Sequence, residues 1–214
     1  MIRFYHMPRW LRFFYPQVQF TLEGEENEIA LTFDDGPDPA FTLPILDILD
    51  HYRVKATFFM EGAKIEKEPD LAAEVARQGH GIGNHFYSHN ELIFRSKRNI
   101  QEQLDRTDRL ITEKLGTATA LVRPPFGRVT LRVTRLITRA GMRTVLWSVM
   151  PYDFTDPGPE TIAARTIQYT RSGSIIVLHD GGSIRTQTVE ALPRIIETLS
   201  PRFAFARLDQ EGAS

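Results

Sequence analysis

From residue 29 to residue 208, short β-branched and aromatic runs alternate with longer stretches of helical periodicity, and short connections join them. The runs fall at 29–33, 55–60, 81–84, 120–123, 143–149, 174–179 and 203–208. Helical patterns lie at 43–52, 69–78, 96–115, 130–140, 160–171 and 186–199, several closed by a glycine. Strands that alternate with helices of this length must pair in parallel, with the helices as outer crossovers. A barrel and a doubly wound open sheet both satisfy that rule. No linker divides residues 29–214, so they read as a single domain, preceded by a strap and lead-in over 1–28.

Composition removes several function classes. With 26 Lys+Arg against 27 Asp+Glu, the net charge of -1 argues against a protein that neutralises nucleic-acid phosphates. The chain has no cysteine, which excludes disulfides, thiolate nucleophiles and Cys-ligated zinc. Any metal must be held by His and carboxylates. No apolar run is long enough to cross a bilayer as a helix. Residues 1–20 contain Arg3, Arg9 and Arg12, no acid, and aromatics including Trp10, Phe13, Phe14 and Tyr15. Arginines and prolines interrupt every apolar run there, so no secretion signal is read and the expected location is cytoplasmic. The expected role of this segment is a strap that packs its aromatics onto the domain. Peripheral membrane association through residues 1–20 is the alternative.

Chemistry-bearing residues collect where the apolar runs end. Thr32-Phe33-Asp34-Asp35-Gly36 closes the first run, and Asn84-His85-Phe86-Tyr87-Ser88-His89 the third. Arg123-Pro124-Pro125-Phe126-Gly127 closes the fourth, Met150-Pro151-Tyr152-Asp153-Phe154 follows the fifth, and Leu178-His179-Asp180 ends the sixth. In a parallel α/β fold all these ends open on one face, so the groups converge. Adjacent Asp34 and Asp35 cannot point the same way. One can bind a cation while the other meets water or substrate, although Asp-Asp-Gly-Pro is also turn chemistry. His85 and His89, four residues apart, would present both rings to one side on a helical turn, although two unrelated histidines in a loop would share that spacing. With Asp35 they form a three-ligand set that leaves a position open, as a catalytic rather than a structural zinc site does. His179 reads as an acid/base or as a satisfied core histidine. Arg123 leaves a buried run and needs an anion, for which Asp34 and Asp153 are the candidates.

These ordered segments resemble the polysaccharide deacetylases of carbohydrate esterase family 4. Its motifs run T-F-D-D-G, H-[S/T]-x-x-H, R-x-P-x-G, D-x-x-D-W and L-x-H, and the likeness covers residues 29–208. The resemblance implies a distorted seven-stranded (β/α) barrel of parallel strands with outer helices. It also implies metal-dependent removal of N-acetyl groups from N-acetylglucosamine-type glycans or oligosaccharides, releasing acetate. Asp35, His85 and His89 match the metal ligands, with one divalent ion expected: zinc first, then cobalt, nickel, manganese or iron. Asp34 matches the general base, Arg123 the residue that positions it, His179 the general acid and Asp153 its support. The backbone N–H of Phe126 matches an oxyanion donor. Pro125, Met150, Phe154 and Leu178 are expected to border the substrate groove. Phe86, Met150, Phe154 and Val177 depart from the motifs; Phe86 removes a loop-bracing hydroxyl, and Met150 and Phe154 bear on substrate identity. Other readings are hydrolysis of a different non-peptide C–N amide bond, or a carbohydrate-binding member without turnover.

Overall fold

The structure, a computed structural model, describes residues 11–22 and 27–210. A one-turn helix α1 (Leu11–Phe14) leads into β1 (Val18–Gln19), and β2 (Glu28–Gly36) begins the alternation. There follow α2 (Thr42–His51), β3 (Thr57–Met60), α3 (Gly62–Lys67), α4 (Pro69–Arg77), β4 (Gly81–Asn84) and α5 (Lys97–Leu115). The chain continues through β5 (Leu121–Val122), α6 (Leu131–Arg139), β6 (Arg143–Val145), α7 (Pro159–Tyr169), β7 (Ile175–His179), α8 (Thr186–Leu199) and β8 (Ala204–Phe205). Local chemistry sets several boundaries. The Ser96 hydroxyl accepts from Asn99 N–H at the start of α5, and Gly116 closes that helix at φ 66°. Thr130 caps α6 in the same way, through Val133 N–H.

Among the described residues every pair of named strands is parallel, in the order β1-β6-β5-β4-β3-β2-β7. The sheet curls until the segment after β6 reaches β7, where Val149 bridges Ile176 in parallel. This is the (β/α) barrel architecture expected from the sequence, with one exchange of members. Residues 203–208, read as a barrel strand, contribute only β8, which pairs with the first residues of β2 off the main path. Leu208 then turns under the barrel, where its N–H donates to Thr57 Oγ1 at 3.1 Å. The place on the path is taken by β1, from the segment read as a strap, hydrogen-bonded along β6.

The strap itself needs correction. Phe20 is buried and Tyr15 packs on the inner core, but Phe13 and Phe14 stand exposed. The strand pairing of β1 anchors the chain only from Val18 onward, and a single helical turn offers no face wide enough to bury both rings. Arg3, Arg9 and Trp10 lie outside the described residues, as do residues 23–26 of the acidic turn.

Strand alternation sorts the side chains into two cores. Ile29, Leu31 and Phe33 of β2 and Ile176 and Leu178 of β7 point outward under the helices. Ala30, Phe59, Val145, Ile175 and Val177 point inward and fill the barrel. Arg123 also lies inside, its guanidinium 4.0 Å above the Phe59 ring and 5.6 Å from Trp147. Gly83 of β4 makes room for that ring, since a Cβ there would fall 2.3 Å from Phe59 Cδ1. With Arg123 on its other side the ring cannot retreat. Gly83→Ala is therefore expected to cost about 1–3 kcal/mol by overpacking, seen as a lowered Tm by calorimetry. An unchanged Tm would mean the barrel interior yields more than this packing allows.

Candidate active site

The C-terminal strand ends form one rim around a cleft of about 1320 Å³. At the end of β2 the pairing with β3 slips between Asp34 and Gly36, and Asp35 adopts φ 72°. This bulge separates the two carboxylates: Asp34 keeps the inward direction of the strand, and Asp35 is turned toward the loop after β4. There Asp35 Oδ1 lies 3.3 Å from His85 Nε2 and 3.2 Å from His89 Nε2. All three ligand atoms fall within 4.8 Å of one another. Asp35 Oδ1 is buried and accepts no hydrogen bond. A buried carboxylate oxygen without a donor, facing two imidazole nitrogens, fits a cation bound among them. Burial alone would raise the Asp35 carboxyl. The neighbouring His85 and the charge on His179 instead lower it, so the oxygen is available as an anionic ligand.

His85 Nδ1 lies 2.6 Å from the Arg123 carbonyl. Donating its N–H there leaves the Nε2 lone pair toward Asp35, the tautomer a metal ligand needs. The loop between the histidines is braced without a hydroxyl at Phe86. Asn84 Oδ1 accepts from Phe86 N–H at 2.8 Å, while Asn84 Nδ2 donates to the Leu104 carbonyl. Phe86, at φ 63°, buries its ring among Leu92, Ile100, Leu104 and Val122. The hydroxyl brace comes from Ser88 instead, which donates to Gln103 Oε1 at 2.9 Å.

Of the two anions proposed for Arg123, the structure selects Asp34. Arg123 Nη1 donates to Asp34 Oδ1 at 2.6 Å and to Thr32 Oγ1 at 2.7 Å. Nη2 donates to the Leu146 carbonyl at 3.0 Å, and Nε to that of Val145. Asp153 serves His179: its Oδ1 is 2.8 Å from Nδ1, and its Oδ2 accepts from the His179 backbone N–H and the Thr188 hydroxyl. Asp34 and His179 are register partners on adjacent strands, both facing inward.

Two groove residues named from the sequence are misplaced. Leu178 is fully buried in the outer core, because alternation along β7 sends Val177 and His179 to the cleft and Leu178 away from it. Pro125 is buried beneath the rim, and Phe126, at φ 59°, takes the exposed position. Met150 and Phe154 do line the cleft, with Phe41, Trp147 and Ile184. No sequence pattern marked Lys64, which sits in the unanticipated helix α3 and donates to the Asp35 carbonyl. Nor did any mark Asp180, buried beside Gly36, which accepts from Thr42 Oγ1 at 2.6 Å and is pushed up to about 7 by burial. Thr32 lay within a recognised motif, yet its part in holding Arg123 needed coordinates.

Residues 21–145 match the family model for polysaccharide deacetylase. A peptidoglycan-N-acetylglucosamine deacetylase of Bacillus cereus is 39% identical over 85% of this chain and 86% of its own length. A chitooligosaccharide deacetylase of Sinorhizobium fredii is 38% identical over 81% of this chain and 86% of its own length. Among solved structures, a peptidoglycan N-acetylglucosamine deacetylase superimposes with a TM-score of 0.90 at 32% identity, covering 97% of this chain and 98% of that one. A family pseudoenzyme from Bacillus anthracis superimposes at 0.84 with 25% identity, over 91% of this chain and 68% of that one.

Burial alone would lower the His179 imidazole, but the Asp153 carboxylate pushes it up from 6.5 to about 9. A raised histidine stabilises the fold fully below its ordinary value, and that contribution is lost as pH rises through about 9. Asp153→Asn should bring the His179 titration down from about 9 in metal-free protein, followed by ring-proton NMR. A variant that still titrates near the native value would remove Asp153 as the cause.

Proposed function

Because this chain belongs to the polysaccharide deacetylase family, we propose that it hydrolyses the N-acetyl group of N-acetylglucosamine-type glycans or oligosaccharides with the help of one divalent metal. The observation that carries the reading is the pairing of Asp34 and His179 across adjacent strands beside the Asp35, His85 and His89 set. Each of the two is held by its own buried partner, Arg123 or Asp153. A sugar-binding surface needs no such base and acid arranged together.

Asp35, His85 and His89 would hold the metal, and their two nitrogens and one oxygen suit zinc first among the divalent ions. When bound, that ion supplies Lewis acidity: it makes water more acidic and polarises an amide carbonyl. The chain's own residues move the protons. Arg123 occupies Asp34 Oδ1, which leaves Oδ2 to accept a proton from the attacking water. The water oxygen bonds to the acetyl carbon, and the Phe126 backbone N–H, at the rim, donates to the oxyanion that develops. Asp153 takes the Nδ1 side of His179 and keeps the ring charged, so Nε2 delivers a proton to the amine as the C–N bond breaks. Acetate and a free amino sugar result. Phe126 packs on His89 with centroids 4.2 Å apart, and Phe154 stands edge-on to His179 at 5.4 Å. The two rings bracket the centre and offer apolar faces to a sugar.

Acetate release from chito-oligosaccharides, measured with metal content, tests the reading. Asp34→Asn is expected to retain the metal and lose about 10²–10⁴ in kcat, the usual share of a general base. His85→Ala should lose the metal, and chelation of the wild type should abolish release until a divalent ion is restored. Wild-type turnover by Asp34→Asn would end the proposed assignment. Sugar affinity without acetate release in the wild type would instead identify a binding member of the family.

A further inference from the structure

The site uses one rim of the barrel, yet the adjoining surface carries a feature that catalysis does not explain. From Leu115 to Tyr152 the chain holds six arginines and not one acid, although the whole chain is nearly neutral; Arg123 is the buried partner of Asp34, and the other five lie outside the barrel interior. Arg128, ion-paired with Glu91, opens the approach to α6, and Arg132, Arg135 and Arg139 follow along that helix. Two other segments join this face. Arg132 Nη2 donates to the Ile93 carbonyl at 2.6 Å, tying α6 to the 3₁₀ turn Leu92–Phe94, which Arg95, Lys97 and Arg98 follow. Gln17 Nε2 donates to Thr134 Oγ1 at 3.0 Å, tying the N-terminal strap to the same helix. Large apolar side chains project from each segment: Phe13 is 92% exposed, Phe94 81% and Leu131 55%. Between them lies a shallow depression of about 380 Å³ lined by Tyr15, Phe20, Ile93, Val129 and Leu146.

We propose that this face docks on a lipid bilayer surface bearing anionic head groups. The arginines of α6, a helix without acids, are drawn to such a surface, at about 1 kcal/mol for each one near it. A soluble polyanion would satisfy the charges but would leave the phenylalanines in water. The boundary between head groups and acyl chains buries them and meets the cations together. A second copy of the chain, set face to face by a two-fold axis, would bring arginine against arginine. Gly127 and Arg128 border both the depression and the cleft, so docking would hold the cleft mouth beside the membrane. The inference does not depend on the deacetylation reading and fails separately from it.

Co-sedimentation of the full chain with vesicles tests it, comparing phosphatidylcholine alone with phosphatidylcholine containing about 30% phosphatidylglycerol. Binding should appear on the anionic vesicles and weaken with added salt. Arg135→Glu with Arg139→Glu should weaken it by about 30-fold or more, the factor for two lost cations. Phe13→Ser with Phe94→Ser should weaken it by about 10-fold, because two rings no longer enter the interface. All four side chains are exposed and outside the site, so the circular dichroism spectrum and Tm should be unchanged and report that the variants fold. Equal sedimentation with both vesicle types would overturn the proposal, as would full binding by the Phe13→Ser, Phe94→Ser protein. Binding to soluble polyphosphate that only the arginine variant loses would reassign the face to a polyanion. A dimer in solution that both variants dissolve would reassign it to a second copy.

Discussion

A guanidinium sealed inside a barrel of parallel strands must find its charge partner there, and here the partner is Asp34. Arg123 has no solvent exposure, and its donors are taken by one carboxylate, one hydroxyl and two backbone carbonyls. Removing one side of such a pair leaves an uncompensated buried charge, a loss of about 3–5 kcal/mol. The pair therefore constrains more than itself. Thr32 must face inward, the carbonyls of Val145 and Leu146 at the end of β6 must tilt toward the barrel axis, and Phe59 must lie flat beneath the guanidinium. The carbonyl of the same arginine fixes the His85 ring. One residue thus links the proposed base to the candidate metal ligands through its side chain and its backbone.

The rim is built from backbone that most residues avoid. Asp35, Phe86, Phe126 and Tyr152 all have positive φ without being glycine. Each follows or interrupts a strand end and turns a side chain out of the direction that plain alternation would give it. Such conformations cost of order 1–3 kcal/mol each and persist only where the surroundings enforce them. At Phe86 the enforcement is visible as a fully buried ring. At Asp35 it comes from the bulge, from Lys64 on the carbonyl and from the glycines that follow His179, where a Cβ on Gly182 would lie 2.6 Å from Asp35 Oδ2.

The departures from the family motifs fall into two kinds. Phe86 changes how a loop is held and leaves the ligands where they are, since Asn84, Ser88 and Gln103 supply the polar bracing. Met150 and Phe154 lie on the cleft wall, and Phe154 contacts His179 edge-on. They alter the surface a substrate meets, and the buried pairs behind it are untouched. The same wall continues through Gly127 and Arg128 to the basic, aromatic face around α6.

The alternation of apolar runs with helical periods was enough to determine parallel strands with outer helices, because no other arrangement buries both element types along so short a chain. It was also enough to gather the polar strand ends on one face, since parallel strands all finish at the same side. The spacing of His85 and His89 suggested a helical turn, but residues 85–89 form a loop with Phe86 at positive φ, and it is that loop which brings both rings to Asp35. Tertiary structure alone decided which anion Arg123 takes, because Asp34 and Asp153 are equally charged and differ only in which strand carries them. It alone showed Leu178 turned outward, since the parity of a strand position is set by its neighbours' register. It also exchanged residues 203–208 for Val18–Gln19 on the barrel path: a two-residue strand is too short for any periodicity to reveal, and only its hydrogen bonds to β6 define it.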